Sequence, residues 1–230
     1  MGKLLYPIRE LTSDEQLYRC GYIDDKGSVV IPPRYSFAYC FSEGLAAVCE
    51  EEDGPFGFIN TNGEWAIPPM FDAVIDCGFS EGLCAVVKKD SGWNSKWGYI
   101  DLTGQFVIPP KYFLAGPFMN GIAPVQYIDN VDVCAVPLID YFEGTTMGYV
   151  RSVDDNDPKV INSWGFIDKT GDIVVPTEYN DRLYQDGDLL HLERDNMIYY
   201  YNRSGERIWP PLPDAVRRLR EVLYNNYETN

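Results

Sequence analysis

The chain has 230 residues, 45% of them hydrophobic and 14% aromatic, which supplies a core and excludes a disordered polymer. With 35 Asp and Glu against 19 Lys and Arg, its formal charge of −16 repels phosphate backbones and anionic lipid. Nucleic acid and membrane surfaces are therefore excluded as partners; a basic protein is the natural complement, and solubility alone also accounts for the acidity.

The opening MGKLLYPIRELTSDEQ interrupts a short apolar start with Pro, Arg and acids, and no later apolar run approaches the ~18 residues of a membrane span, so a cytoplasmic protein is expected. Within it, LLYPIR at 4 to 9 has the apolar form of LAAVCE and IAPVQY further on. It reads as an orphaned third strand, expected to dock beside the last repeat and close a ring, with an open curved array as the alternative.

A repeated sentence follows: CGYIDDKGSVVIPPRY at 20 to 35, FGFINTNGEWAIPPMF at 56 to 71, WGYIDLTGQFVIPPKY at 97 to 112 and WGFIDKTGDIVVPTEY at 164 to 179. A worn fifth copy, IYYYNRSGERIWPP, occupies 198 to 211, with Tyr199 in place of the first Gly. The first three copies continue into FSEGLAAV, FSEGLCAV and FMNGIAPV, and the fourth decays to YQDGDLLHL. In each copy a strand such as GYID runs into a Gly turn, a second strand runs into Pro-Pro, and GLAAV forms a third. Because Pro donates no ladder hydrogen bond, Pro32 and Pro33 either end their strand or lie on an edge. The unit predicted is a three-stranded meander that completes its core by stacking on its neighbours. Gly21, Gly57, Gly98 and Gly165 recur at one strand position, where a small residue is expected beneath a neighbouring aromatic ring.

These motifs resemble the WG (KWG) repeat family, whose hallmark is a Trp-Gly-Tyr-Ile-Asp start, a Gly turn, Ile-Pro-Pro-x-Tyr and Phe-x-Glu-Gly-Leu-Ala-x-Val. Trp97-Gly98 and Trp164-Gly165 match literally, while Cys20, Phe56 and Ile198 replace the Trp elsewhere. The resemblance covers most of residues 20 to 211. It implies an all-β tandem array of about four full repeats and one partial, found largely in bacterial proteins, with no single reaction attached. The domain boundaries expected are a repeat domain over 1–212 and a C-terminal helix and tail over 213–230. There DAVRRLREVLYNNY places Val216, Leu219, Leu223 and Tyr227 on one face, the pattern of a capping helix.

The spacing of the first Gly exposes one irregularity, an insertion over about 126–160 between the third and fourth copies. It carries Tyr127, Asp129, Asp132, Asp140, Tyr141, Phe142, Glu143, Tyr149, Asp154, Asp155 and Asp157 against Arg151 and Lys159. Aromatic anchors among acids suit a basic protein partner; a solvated loop or extra hairpin is the plainer alternative.

Little in the sequence points to catalysis. His191 is the only histidine and falls inside a strand pattern, where a partly buried structural residue is expected. The six cysteines form no CxxC pair and read as reduced thiols, with Cys84 standing where the first copy has Ala46. Phosphate-loop, nucleophile-elbow and calcium-loop motifs are missing, so no catalytic residue, metal or cofactor is expected. Asp24, Asn60, Asp101, Asp168 and Asn202 share one repeat position, and Glu43, Glu81, Asn120 and Asp186 another, which suits turn hydrogen bonding. The leading expectation is a non-enzymatic scaffold for a basic protein, an immunity-like neutralising protein being one example. A carbohydrate- or wall-binding module using Trp93, Trp97 and Trp164, and a carboxylate hydrolase, are the alternatives.

Overall fold

In the computed structural model the described residues are 4–11, 17–88, 96–129, 161–179, 183–186, 189–194 and 197–209. All regular structure among them is strand, arranged as five antiparallel sheets. The first holds β1 (Tyr6–Leu11), β2 (Tyr18–Ile23) and β3 (Val29–Tyr35). The second holds β4 (Phe37–Ala38), β5 (Leu45–Cys49), β6 (Phe56–Asn60) and β7 (Trp65–Phe71). The third holds β8 (Ala73–Val74), β9 (Leu83–Val87), β10 (Trp97–Asp101) and β11 (Phe106–Tyr112). In the fourth are β12 (Leu114–Ala115), β13 (Ile122–Asp129), β14 (Ile161–Asp168) and β15 (Ile173–Tyr179). The fifth contains β16 (Leu183–Asp186), β17 (Leu189–Arg194), β18 (Met197–Tyr201) and β19 (Arg207–Trp209).

The sheets are offset from the sequence repeat. Each joins the third strand of one copy to the first two strands of the next, and in every sheet after the first a short outer strand, two residues long in the second to fourth sheets and four in the fifth, makes four strands rather than the expected three. By this rule LLYPIR is a third strand, as its sequence suggested, but its partner is different: β1 pairs with β2 over six residues, from Tyr6 opposite Ile23 to Leu11 opposite Tyr18. The ring expected from docking beside the last repeat does not form, because the strand completes the first sheet instead. The array is open, and among the described residues no ladder joins its first sheet to its last. The capping helix expected over 213–230 lies outside the described residues.

Both prolines of the pairs Pro32-Pro33, Pro68-Pro69 and Pro109-Pro110 stay within an edge strand. Tyr22 pairs with Ile31 and Cys20 with Tyr35, so Gly21 faces a bulge containing Pro32, Pro33 and Arg34. Their lack of N–H costs no ladder bond there. The bulge also explains the first Gly. A Cβ on Gly98 would sit 2.7 Å from both the Ile108 carbonyl oxygen and the Pro110 nitrogen, and the contacts at Gly21 and Gly57 are equally short. The crowding expected from an aromatic ring comes chiefly from the neighbouring backbone.

Core formation follows one rule along the stack. The rear of the first sheet, with Tyr22, Ile31 and Tyr35, packs on Ala46, Val48 and Ile59 of the second. Phe58, Ile67 and Phe71 meet Cys84, Val86 and Ile100 in the same way, and Tyr99, Ile108 and Tyr112 meet Ala123, Val125 and Ile167. Large rings on one face are received by small or β-branched residues on the next, the complementarity that close packing requires. Cys84, 1% exposed, fills the position of Ala46, and burial pushes its thiol well above its ordinary value. The five described cysteines are all free, and Cys134 lies outside the described residues.

Candidate interaction surface

Alternating strand direction gives the stack two edges with different chemistry. One edge carries the Gly turns. In each repeat the side-chain oxygen at its first position accepts two backbone N–H groups: Asp24 from Lys26 and Ser28, Asn60 from Asn62 and Glu64, Asp101 from Thr103 and Gln105. Asp168 and Asn202 repeat the arrangement at 2.9 to 3.1 Å. Turn hydrogen bonding therefore accounts for this series, as its sequence position predicted. The Thr103 hydroxyl, with neighbouring amides, holds the Asp101 carboxyl below its ordinary value.

The second acidic series does something that sequence reading missed. Glu43 and Glu81 adopt positive φ, at 51° and 55°, and reach into the following repeat. The Glu43 carboxylate accepts the Gly82 N–H at 2.9 Å, and Glu81 accepts those of Asn120 and Gly121, the latter at 2.8 Å. Beside them the Ser42 and Ser80 hydroxyls donate to the Phe79 and Phe118 carbonyls of the next repeat. Lys169 pairs with Glu81 at 3.1 Å. Partial burial works to raise the Glu81 pKa, but Lys169 and the two amides outweigh it and hold the carboxyl below its ordinary value. These carboxylates clasp one repeat to the next. The Ser-Glu doublet was the visible signal; its reach of 39 residues was not. Asp186 lies on β16.

The opposite edge carries the loops that join each GLxxV strand to the next WG-type strand. Glu50, Glu51, Glu52 and Asp53 form an exposed acidic tip between β5 and β6. The long insertion leaves from the equivalent place. Tyr127 and Asp129 belong to β13, opposite Ser163 and Ile161, so the ladder continues through 126–129 and the excursion is confined to 130–160. Its two ends are thus neighbours across one antiparallel pair. Asp132, Asp140, Tyr141, Phe142, Glu143, Tyr149, Asp154, Asp155 and Asp157 lie outside the described residues. Sequence reasoning passed over the Glu50–Asp53 tip, although four consecutive acids mark it plainly.

Other candidates resolve structurally. His191 is a partly buried residue of β17, its ring stacked on Tyr200 with centroids 5.5 Å apart. Among the described residues no three His, Cys, Asp or Glu side chains converge to hold a metal ion.

A family model described as a WG containing repeat matches residues 21–52, 56–93, 97–130 and 164–181, together more than half of the chain. The gap between the last two matches contains all but the first residue of the excursion. No curated protein matches the chain. An open stack of antiparallel sheets, a Gly held against an Ile-Pro-Pro bulge and clasped turns recur at the matched positions, and the chain belongs to the WG-repeat family.

Proposed function

We propose that this β-repeat scaffold binds a basic protein, through the loop edge where the Glu50–Asp53 tip and the excursion arise. The observation that supports this reading is the division between edges. On the turn edge the carboxylates of Asp24, Glu43 and Glu81 accept hydrogen bonds that hold the fold, whereas those of the Glu50–Asp53 tip are exposed on loops whose length varies from repeat to repeat. Variable loops on a repeated frame are the usual place for recognition. Acids steer a cationic partner toward that edge, and the aromatics Tyr141, Phe142 and Tyr149 would supply the apolar anchors that electrostatic steering lacks. Neutralisation of a cationic toxin domain is one form such binding takes.

The test is capture by the purified full chain, followed by titration of the captured protein across salt concentrations. A cationic partner whose affinity falls steeply with salt is expected, because exposed charges are screened over about 10 Å at 0.1 M salt. A partner without basic surface, or a salt-independent affinity, would overturn the reading.

A further inference from the structure

The junction of the first and second sheets encloses a cleft of about 230 Å³, lined by Pro7, Ile8, Arg9, Cys20, Ser36, Phe37 and Ala38. Its origin lies in one residue of the repeat. Cys20 pairs with Arg9 on one side and Tyr35 on the other. Phe56 holds the same place between Cys49 and Phe71, and Trp97 between Val87 and Tyr112. In those sheets the position carries an aromatic ring. The Trp97 ring is 1% exposed, and the Phe56 ring lies 6.0 Å from Phe37 and 5.9 Å from Tyr39. A thiol is shorter than either ring, and at the first junction the cleft lies beside it.

We infer that this cleft is a binding site for a planar aromatic side chain, and that its natural occupant projects from the protein partner, on the scaffold reading above. The occupant follows from the fold itself: the equivalent positions in the second and third sheets are filled by phenyl and indole rings. Size agrees, since apolar cavities of about 150 Å³ already accept benzene. The walls are apolar on the Pro7, Ile8, Phe37 and Ala38 sides. Arg9 also lines the cleft, its guanidinium held over the Tyr18 ring at 4.5 Å. The Cys20 thiol donates only a long contact, 3.9 Å, to the Ser36 carbonyl.

Indole is the probe, titrated into the full chain while backbone amide shifts are followed. Saturable shifts at Ile8, Cys20, Phe37 and Ala38 are expected. Cys20→Trp should supply the missing ring, abolish those shifts and raise the melting temperature, while Cys20→Ser keeps the cleft and should retain indole binding. No saturable shift in the wild-type chain, or unchanged binding to Cys20→Trp, overturns the site. If Cys20→Trp does not fold, Cys20→Leu takes its place: a folded Cys20→Leu must bind indole several-fold more weakly, and equal binding overturns the site. The partner is judged separately. Weaker capture by Cys20→Trp supports its ring as the occupant, and undiminished capture with intact indole binding in wild type overturns that assignment alone. Failure of the scaffold reading has a different signature, the loss of a salt-sensitive partner for the wild-type chain.

Discussion

The two edges of the stack carry the same residue type in opposite roles. On the turn edge Asp24, Asp101 and Asp168 accept their own turn amides, and Glu43 and Glu81 accept those of the next repeat. On the loop edge Glu50, Glu51, Glu52 and Asp53 point into water. A carboxylate that accepts two backbone N–H groups repays their desolvation and fixes geometry, whereas an exposed one contributes mainly to the long-range field. The acidity of this chain is therefore two quantities, one structural and one electrostatic.

Substitution in the strand that joins the edges sets the scale. Gly98→Val would drive a side chain into the Ile108 and Pro110 backbone, already at 2.7 Å from the position of a Cβ, and that backbone is fixed by two prolines. A loss of about 3 kcal/mol in denaturant unfolding is expected, or failure to fold. A folded Gly98→Val chain with wild-type stability would refute the bulge account.

A matched pair of substitutions then compares the edges directly. Glu81→Ala removes the acceptor of two N–H groups and the partner of Lys169, and should cost about 1–2 kcal/mol after allowing for exposure. Glu52→Ala on the loop edge should stay within about 0.5 kcal/mol. Equal effects would erase the distinction between edges.

Acid should weaken the turn edge. Glu81, Asp101 and Asp168 are held below their ordinary values when folded. At Asp168 burial opposes the shift, and the Thr170 hydroxyl and turn amides outweigh it. A lowered folded value means that the stabilisation is present above the unfolded pKa and is lost as pH falls through the folded one. Melting temperature should therefore decline as pH drops through about 4 and below. Glu81→Gln should flatten part of that decline, and an unchanged acid profile in that variant would refute the clasp's share of it.

How much of this was legible depended on whether the signal was local. The repeat was readable because Gly and Pro impose backbone requirements at fixed spacing, and the identity of β1 was readable because LYPIRE repeats the pattern of LAAVCE. Its partner obeys the rule of the other third strands, each paired with the first strand of the next copy, and was misassigned to the last repeat because an edge to close was given more weight than that rule. The strands β4, β8 and β12 have two residues each, too few for any periodicity. The roles of Glu43 and Glu81 were misread as local turn bonds because their acceptors serve amides 39 and 40 residues away. Cys20 was visible as a departure from the WG pattern, but the cleft it leaves exists only between packed sheets.

The smallest effect on stability should come from the largest change in sequence. Replacing residues 130–160 with a short Gly/Ser link removes more than a tenth of the chain, yet the ladder from Ile122 opposite Asp168 to Asp129 opposite Ile161 remains whole. Because Asp129 and Ile161 are already neighbours, the link closes a hairpin and orders no new contact. The cost of closing a loop changes by only about 0.6 kcal/mol for each doubling of its length, so shortening it leaves the melting temperature near that of the intact chain. Affinity for a basic partner should fall and lose salt sensitivity, since the deletion removes Asp132, Asp140, Glu143, Asp154, Asp155 and Asp157 together with Tyr141, Phe142 and Tyr149. A large drop in melting temperature would make the excursion part of the fold. Undiminished affinity would move recognition to the Glu50–Asp53 tip, and the corresponding amide variant would then carry the loss.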